Sequence, residues 1–177
     1  CPRTRFVALD VEPAVASDEF FSAENVTAVV MDTEEAAFLA GVLAAEESQT
    51  GTVGFIGGMP ISSVDRLLAG FAAGALWADP DTIVVVTYLD GDAAAGLGAF
   101  DSPERGYAAA LDLFRAGADI VFHAAGGSGQ GILEAVVDSS TLARPLRFIG
   151  VELDARALAR RLGCPVVRRY SGGRARH

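Results

Sequence analysis

An α/β fold, a Rossmann-like parallel sheet with helices on both faces, is predicted by three features of the 177-residue sequence. Short apolar runs rich in β-branched residues alternate with segments of helical spacing, the pattern of strands joined by helical crossovers. The runs are apolar throughout rather than alternating, as strands buried on both faces must be. One of them, Ile120–Ala124, ends in four glycines between Gly126 and Gly131, and a helical pattern follows. Glycine admits φ > 0 and leaves backbone N–H groups open, so this turn puts bare main chain at the C-terminal edge of a sheet, where open α/β folds take ligands.

The elements follow in order. Phe6–Leu9 reads as the first strand, and the acidic, turn-rich stretch 11–25 as a loop. Val26–Met31 is a second strand. Asp32 and Glu35 then have the spacing of an N-cap with a carboxylate three residues on, and Ala36, Phe38, Leu39, Val42 and Leu43 keep helical spacing until Gly51 stops it. Val53–Ile56 is a strand closed by Gly57 and Gly58. Pro60 suits a helix start, and Val64, Leu67, Leu68, Phe71, Ala75 and Leu76 form one apolar stripe. Ile83–Tyr88 is a β-branched strand, Asp90–Ala99 a loop of small residues, and Asp101–Glu104 the start of a helix that Gly117 ends. After Ile120–Ala124 come a helix over Gly131–Val137, a strand over Leu146–Val151 and a last helix over Asp154–Leu162.

Composition narrows the function classes. With 51% hydrophobic residues the chain is not disordered, and its longest apolar runs are far too short to span a bilayer. No basic segment followed by an apolar one opens the chain, so no signal peptide is expected in these residues. Lysine is absent. Residues 1–154 carry a net −16, whereas the segment after Asp154 holds seven arginines and no acidic residue. An acidic body argues against nucleic acid as partner. The tail reads as a helix with a frayed end, or as an arm for RNA or a membrane surface. Cys1 and Cys164 have neither metal-ligand nor Cys-x-x-Cys spacing and are expected to be isolated thiols.

Catalytic signatures fail one by one. No lysine means no P-loop, and a dinucleotide fingerprint begun at Gly127 would need glycine at Ile132. Ser128 lacks a nucleophile-elbow setting, and no His, Asp and Glu set has metal spacing. His123 reads either as a general base or as a half-buried strand residue. What remains are groups at the C-terminal ends of strands: Asp10, Gly57 and Gly58, Gly126 and Gly127, Glu152 and Asp154, with Phe100 in the loop after the fourth strand. Carboxylates accept from hydroxyl pairs and a flat base stacks on a ring, so this set suits a polyol or nucleoside. Asp10 and Asp154 also suit loop starts or helix caps, and Phe100 also suits simple packing under its loop.

Seven blocks, in order, resemble the basic membrane protein family: Glu34–Gly41, Gly51–Met59, Gly70–Gly74, Phe100–Glu104, Gly117–Phe122, Ala125–Gly131 and Ile149–Val151. The family comprises substrate-binding lipoproteins of ABC importers, many of them purine-nucleoside binders, with a type I periplasmic-binding-protein fold of two lobes. The resemblance implies that residues 1–25 are a remnant of the N-terminal lobe and hinge, 26–154 the C-terminal ligand-binding lobe, and 155–177 a divergent Arg-rich tail. It implies ligand contacts at Asp10, Phe100, Gly126, Gly127, Glu152 and Asp154, with Glu152 standing where the family usually has aspartate. It further implies capture of a nucleoside or similar polar small molecule by lobe closure, delivery to an ABC permease, and an extracytoplasmic protein anchored to the plasma membrane as a lipoprotein. No catalysis, cofactor or metal is expected. A ligand-sensing module of a regulator built on the same fold is the alternative, and an enzyme using His123 or the strand-end carboxylates a third reading.

Overall fold

The structure, a computed structural model, describes residues 4–9, 25–90, 97–139 and 146–151. The chain divides into two compact units, Cys1–Thr33 and Glu34–His177. In the first, β1 (Phe6–Leu9) and β2 (Val26–Val29) run parallel, with Phe6 opposite Val26 and Leu9 opposite Val29. Phe6 N–H donates to the Asn25 carbonyl at 2.9 Å, and the Asn25 side-chain amide donates to the Thr4 carbonyl at 2.8 Å. Through its ladder to β1, β2 falls within the first of these units.

The second unit alternates helix and strand: α1 (Thr33–Glu47), β3 (Thr52–Gly57), α2 (Ser62–Ala78), β4 (Ile83–Tyr88), α3 (Pro103–Arg115), β5 (Ile120–Ala124), α4 (Gly129–Asp138) and β6 (Arg147–Ile149). The four strands form one parallel sheet in the order β4-β3-β5-β6. Both central strands, β3 and β5, are buried at every residue, which is why their sequences are apolar without alternation. Gly117 sits at φ 108° behind α3, a conformation that a side chain resists.

Alternate strand residues feed two separate cores. Val53, Phe55, Ile120 and Phe122 pack with Ala37 and Ala44 of α1 and Val64, Phe71 and Ala75 of α2. Phe55, Phe71 and Phe122 cluster there, with ring centroids 5.1–6.3 Å apart. Ile56 and Val121 face the other way, toward Leu113 and Phe114 of α3 and Ile132 and Val136 of α4. Helices on both faces of a parallel sheet are the expected architecture. Glycines set the closeness of the helix pairs: Gly41 abuts the Phe71 carbonyl and Gly74 the Phe38 carbonyl, and a Cβ has no room at either. No helix among the described residues is long and apolar enough to cross a membrane.

Candidate functional site

Strand order marks a candidate site. The chain leaves β3 for β4 on one side and returns through α3 to β5 on the other, so the direction of progression reverses between β3 and β5. Such a switch point opens a crevice at the C-terminal ends of the two strands, because the loops that leave them diverge. Here the strand ends are level: Gly58 N–H donates to the Ala124 carbonyl at 3.0 Å, and Asp90 N–H to the Gly58 carbonyl at 3.0 Å. Gly57-Gly58 leaves β3 at this level, and Ala125-Gly126-Gly127-Ser128 leaves β5.

Phe100 bridges the two turns. It closes a single 3-10 turn, Leu97–Phe100, and is half-buried. Its ring occupies the space that a side chain at Gly58 would need. A Cβ at Gly126 would stand 3.1 Å from the Phe100 carbonyl, and one at Gly127 would stand 3.2 Å from the same oxygen and 3.3 Å from Asp101 Oδ1. Gly126 also has φ 52°, so both space and backbone conformation call for glycine. The structure therefore brings together four residues singled out from the sequence, Gly58, Phe100, Gly126 and Gly127, and adds Asp101 and Ser128. Ser128 is fully buried and ties the two segments: its hydroxyl donates to the Ala99 carbonyl at 2.8 Å and accepts from Ser102 N–H at 2.8 Å. Its only signal in the sequence is a place within the glycine run. Asp10, Glu152 and Asp154 lie outside the described residues, as do both cysteines.

His123 lies beneath this turn rather than in it. It is 0% exposed, stacks on Phe148 with centroids 5.0 Å apart, and is covered by Gly129 at the start of α4. Its Nδ1 accepts from Ala125 N–H at 3.3 Å, which puts the ring proton on Nε2, an atom with no partner among the described residues. A sealed imidazole of this kind supports the turn and is out of reach of any substrate. Burial pushes it from the usual 6.5 down to about 4. The unfolded chain then holds the extra proton between those values. Stability is therefore complete above pH 6.5 and falls as the pH drops toward 4, with a limiting slope of about 1.4 kcal/mol per pH unit. Urea titrations of the parent chain and His123→Asn between about pH 7 and pH 5 are expected to differ by this component; parallel acid limbs would show that the imidazole protonates freely in the fold.

The rest of the rim is structural. Tyr88, whose ring lies against Gly57, donates to Asp65 Oδ1 at 2.5 Å and fastens the end of β4 to the first turn of α2. Burial, with the Asp65 carboxylate beside it, pushes the phenol up to about 12. Arg105 of α3 pairs with Asp90 at 3.5 Å. No group of three or more His, Cys, Asp or Glu among the described residues is placed to hold a metal ion. The assembled groups are main chain, one half-buried phenyl ring and a buried hydroxyl whose hydrogen bonds go to the main chain on either side of that ring.

A parallel sheet covered on both faces, with glycine turns at its switch point, is the architecture of one lobe of the type I periplasmic-binding-protein fold. The chain belongs to the family of PnrA-like ABC transporter substrate-binding proteins, which matches residues 1–154; it is a family of solute binders, not enzymes, and the one that the seven sequence blocks point to. Basic membrane protein D of Borreliella burgdorferi is 35% identical over 142 residues, 80% of this chain and 38% of the relative. The ABC transporter nucleoside-binding protein BmpA of Lactococcus lactis is 32% identical over 162 residues, 90% of this chain and 42% of the relative. The chain thus spans about two fifths of the length of these relatives. Among solved structures, an ABC transporter solute-binding protein of Aeropyrum pernix superposes with a TM-score of 0.68 over 84% of this chain and 40% of its own, at 23% identity, a likeness of fold.

Proposed function

We propose that residues 26–154 form the C-terminal ligand-binding lobe of an ABC importer's substrate-binding protein, which takes a nucleoside or a related polar small molecule at the β3/β5 switch point. The observation that carries this reading is the convergence of the Phe100 ring and the Gly126–Gly127 main chain on the switch point. The base stacks on the ring and the bare main chain approaches the ligand without side chains in the way; Asp10, Glu152 and Asp154, the carboxylates that the resemblance implies for its hydroxyls, lie outside the described residues. The name of the Lactococcus lactis relative, a nucleoside-binding protein, supports the ligand class.

Residues 1–25 belong to the N-terminal lobe and hinge. Val7 and Leu9 are each 66% exposed, and a lone pair of strands is not stable in water without further strands or a covering helix. Closure of two lobes around the ligand favours the bound state through contacts made only when closed. The whole protein works outside the cytoplasm, anchored as a lipoprotein, and passes its ligand to a permease in the plasma membrane.

Nuclear magnetic resonance titration of this chain with adenosine, guanosine and inosine tests the reading. Pockets bury about 70–90% of a ligand, so one lobe binds weakly and millimolar ligand is required. Amide shifts are expected at Gly58, Phe100, Gly126 and Gly127, and Phe100→Ala is expected to weaken binding about tenfold, in line with base stacking on an aromatic ring. Silence at these amides with all three nucleosides would overturn the assignment.

A further inference from the structure

We infer that Ser128 is the positioning residue of this site: its buried hydroxyl clamps the Ala99–Ser102 segment onto the glycine turn and so holds the Phe100 ring over the β3/β5 crevice. The inference rests on the nucleoside reading for its ligand, and on hydrogen bonds alone for its geometry. A hydroxyl donates one hydrogen bond and accepts others, and Ser128 uses both capacities on the two sides of Phe100. It donates to the carbonyl of Ala99, just before the ring, and accepts from the N–H of Ser102, two residues after it.

Downstream of Phe100 the chain has other ties. Gly106 of α3 abuts the Ser128 carbonyl and Gly131 of α4 abuts the Pro103 carbonyl, so the first turns of the two helices are packed backbone to backbone. Upstream, the hydrogen bond to Ala99 joins this short turn to β5's exit. Glycine and serine thus have complementary tasks in the same run. Gly126 and Gly127 let the Phe100 main chain come within about one atom's contact, and Ser128 holds it there. A ligand that stacks on the ring meets a surface already in place, and the entropy of ordering it is not charged to binding.

Amide hydrogen exchange on the ligand-free chain tests the clamp directly. In Ser128→Ala, exchange at Asp101 and Ser102 is expected to rise about tenfold, the loss of one hydrogen bond of ordinary strength, while the amides of β3 and β5 stay as protected as before. Ser128→Cys replaces the hydroxyl by a bulkier thiol that is a poor hydrogen-bond partner, and is expected to behave the same way. Uniform acceleration across β3 and β5, or no change at Ser102, would overturn the inference. On the ligand side, Ser128→Ala is expected to weaken adenosine about tenfold, to leave ribose unchanged, and to add nothing in a Phe100→Ala background. Equal losses with and without the ring would show that Ser128 does not act through Phe100. If the unsubstituted chain binds no nucleoside, the proposed function fails, whereas the exchange pattern still decides the clamp.

Discussion

Gly131→Val is expected to lower the unfolding free energy by about 3 kcal/mol, the upper end of the usual cost of overpacking a close-packed interior. Gly131 lies in the first turn of α4 against the carbonyl, carbonyl carbon and Cα of Pro103, and no Cβ fits there. The obstacle is backbone, which cannot rotate aside as a flexible side chain does. The same crossing places Gly106 against the Ser128 carbonyl, so a shift that relieves one contact strains the other. Domain stabilities run to about 5–15 kcal/mol, so the variant loses a large share of the total. Gly98→Ala is the matched control: nothing lies within 4 Å of its Cβ position, and a change within about 0.5 kcal/mol is expected. Urea unfolding of the three chains measures both. A Gly131→Val midpoint equal to the parent's would mean that α3 and α4 do not approach as described, and the placing of Phe100 would go with it.

Asp119→Ala is expected to cost a similar amount at the opposite end of the sheet. Asp119 stands just before β5, is 1% exposed, and accepts from Ser48 Oγ and from Gln49 N–H, each at 2.7 Å. Its main chain joins the neighbouring strands, accepting from Arg147 N–H at 2.9 Å and donating to the Thr52 carbonyl at 3.3 Å. The side chain therefore ties the end of α1 to the start of β5. Hydrogen bonds to a charged group contribute about 1.5–3 kcal/mol each, and truncation also strands two donors, so a loss of about 3–4 kcal/mol is expected. For a domain of this size that is a fall of roughly 10 °C in Tm. Asp119→Asn keeps one acceptor and turns a donor toward a donor, so it is expected to recover less than half of the loss. Calorimetry of the three chains settles the order; an unshifted Asp119→Ala transition would show that the clamp does not form. Nucleoside-induced shifts at Gly126 and Gly127, on the far rim, are expected to persist in the variant as long as it is folded.

Much of the second unit was legible because its elements are encoded locally. β3 and β5 are buried at every residue, so their apolar runs could be read without knowing a partner. Helices α1 to α4 fall close to the expected spans, and Gly51 and Gly117 mark the stops where the backbone turns to positive φ. The site was half legible. Phe100, Gly126 and Gly127 could be singled out by their own chemistry, a ring and two missing side chains, and they lie together in the structure. Ser128 does not, because its role depends on a carbonyl 29 residues away. Asp119 depends on a hydroxyl 71 residues away. His123, read as a base or as a half-buried strand residue, turns out fully buried, a fact decided by Gly129 and Phe148 closing over it.

The amino-acid order alone determined the alternation of strands and helices, the glycine exit from β5 and the family, since periodicity and short motifs need only neighbours in the chain. Tertiary structure alone decided that β2 pairs with β1, that the sheet runs β4-β3-β5-β6, and that the switch point falls where Phe100 can reach it. The reason is physical: hydrogen-bond ladders and backbone-to-backbone contacts join atoms distant in the chain, and which of them meet depends on how all the buried faces are satisfied together.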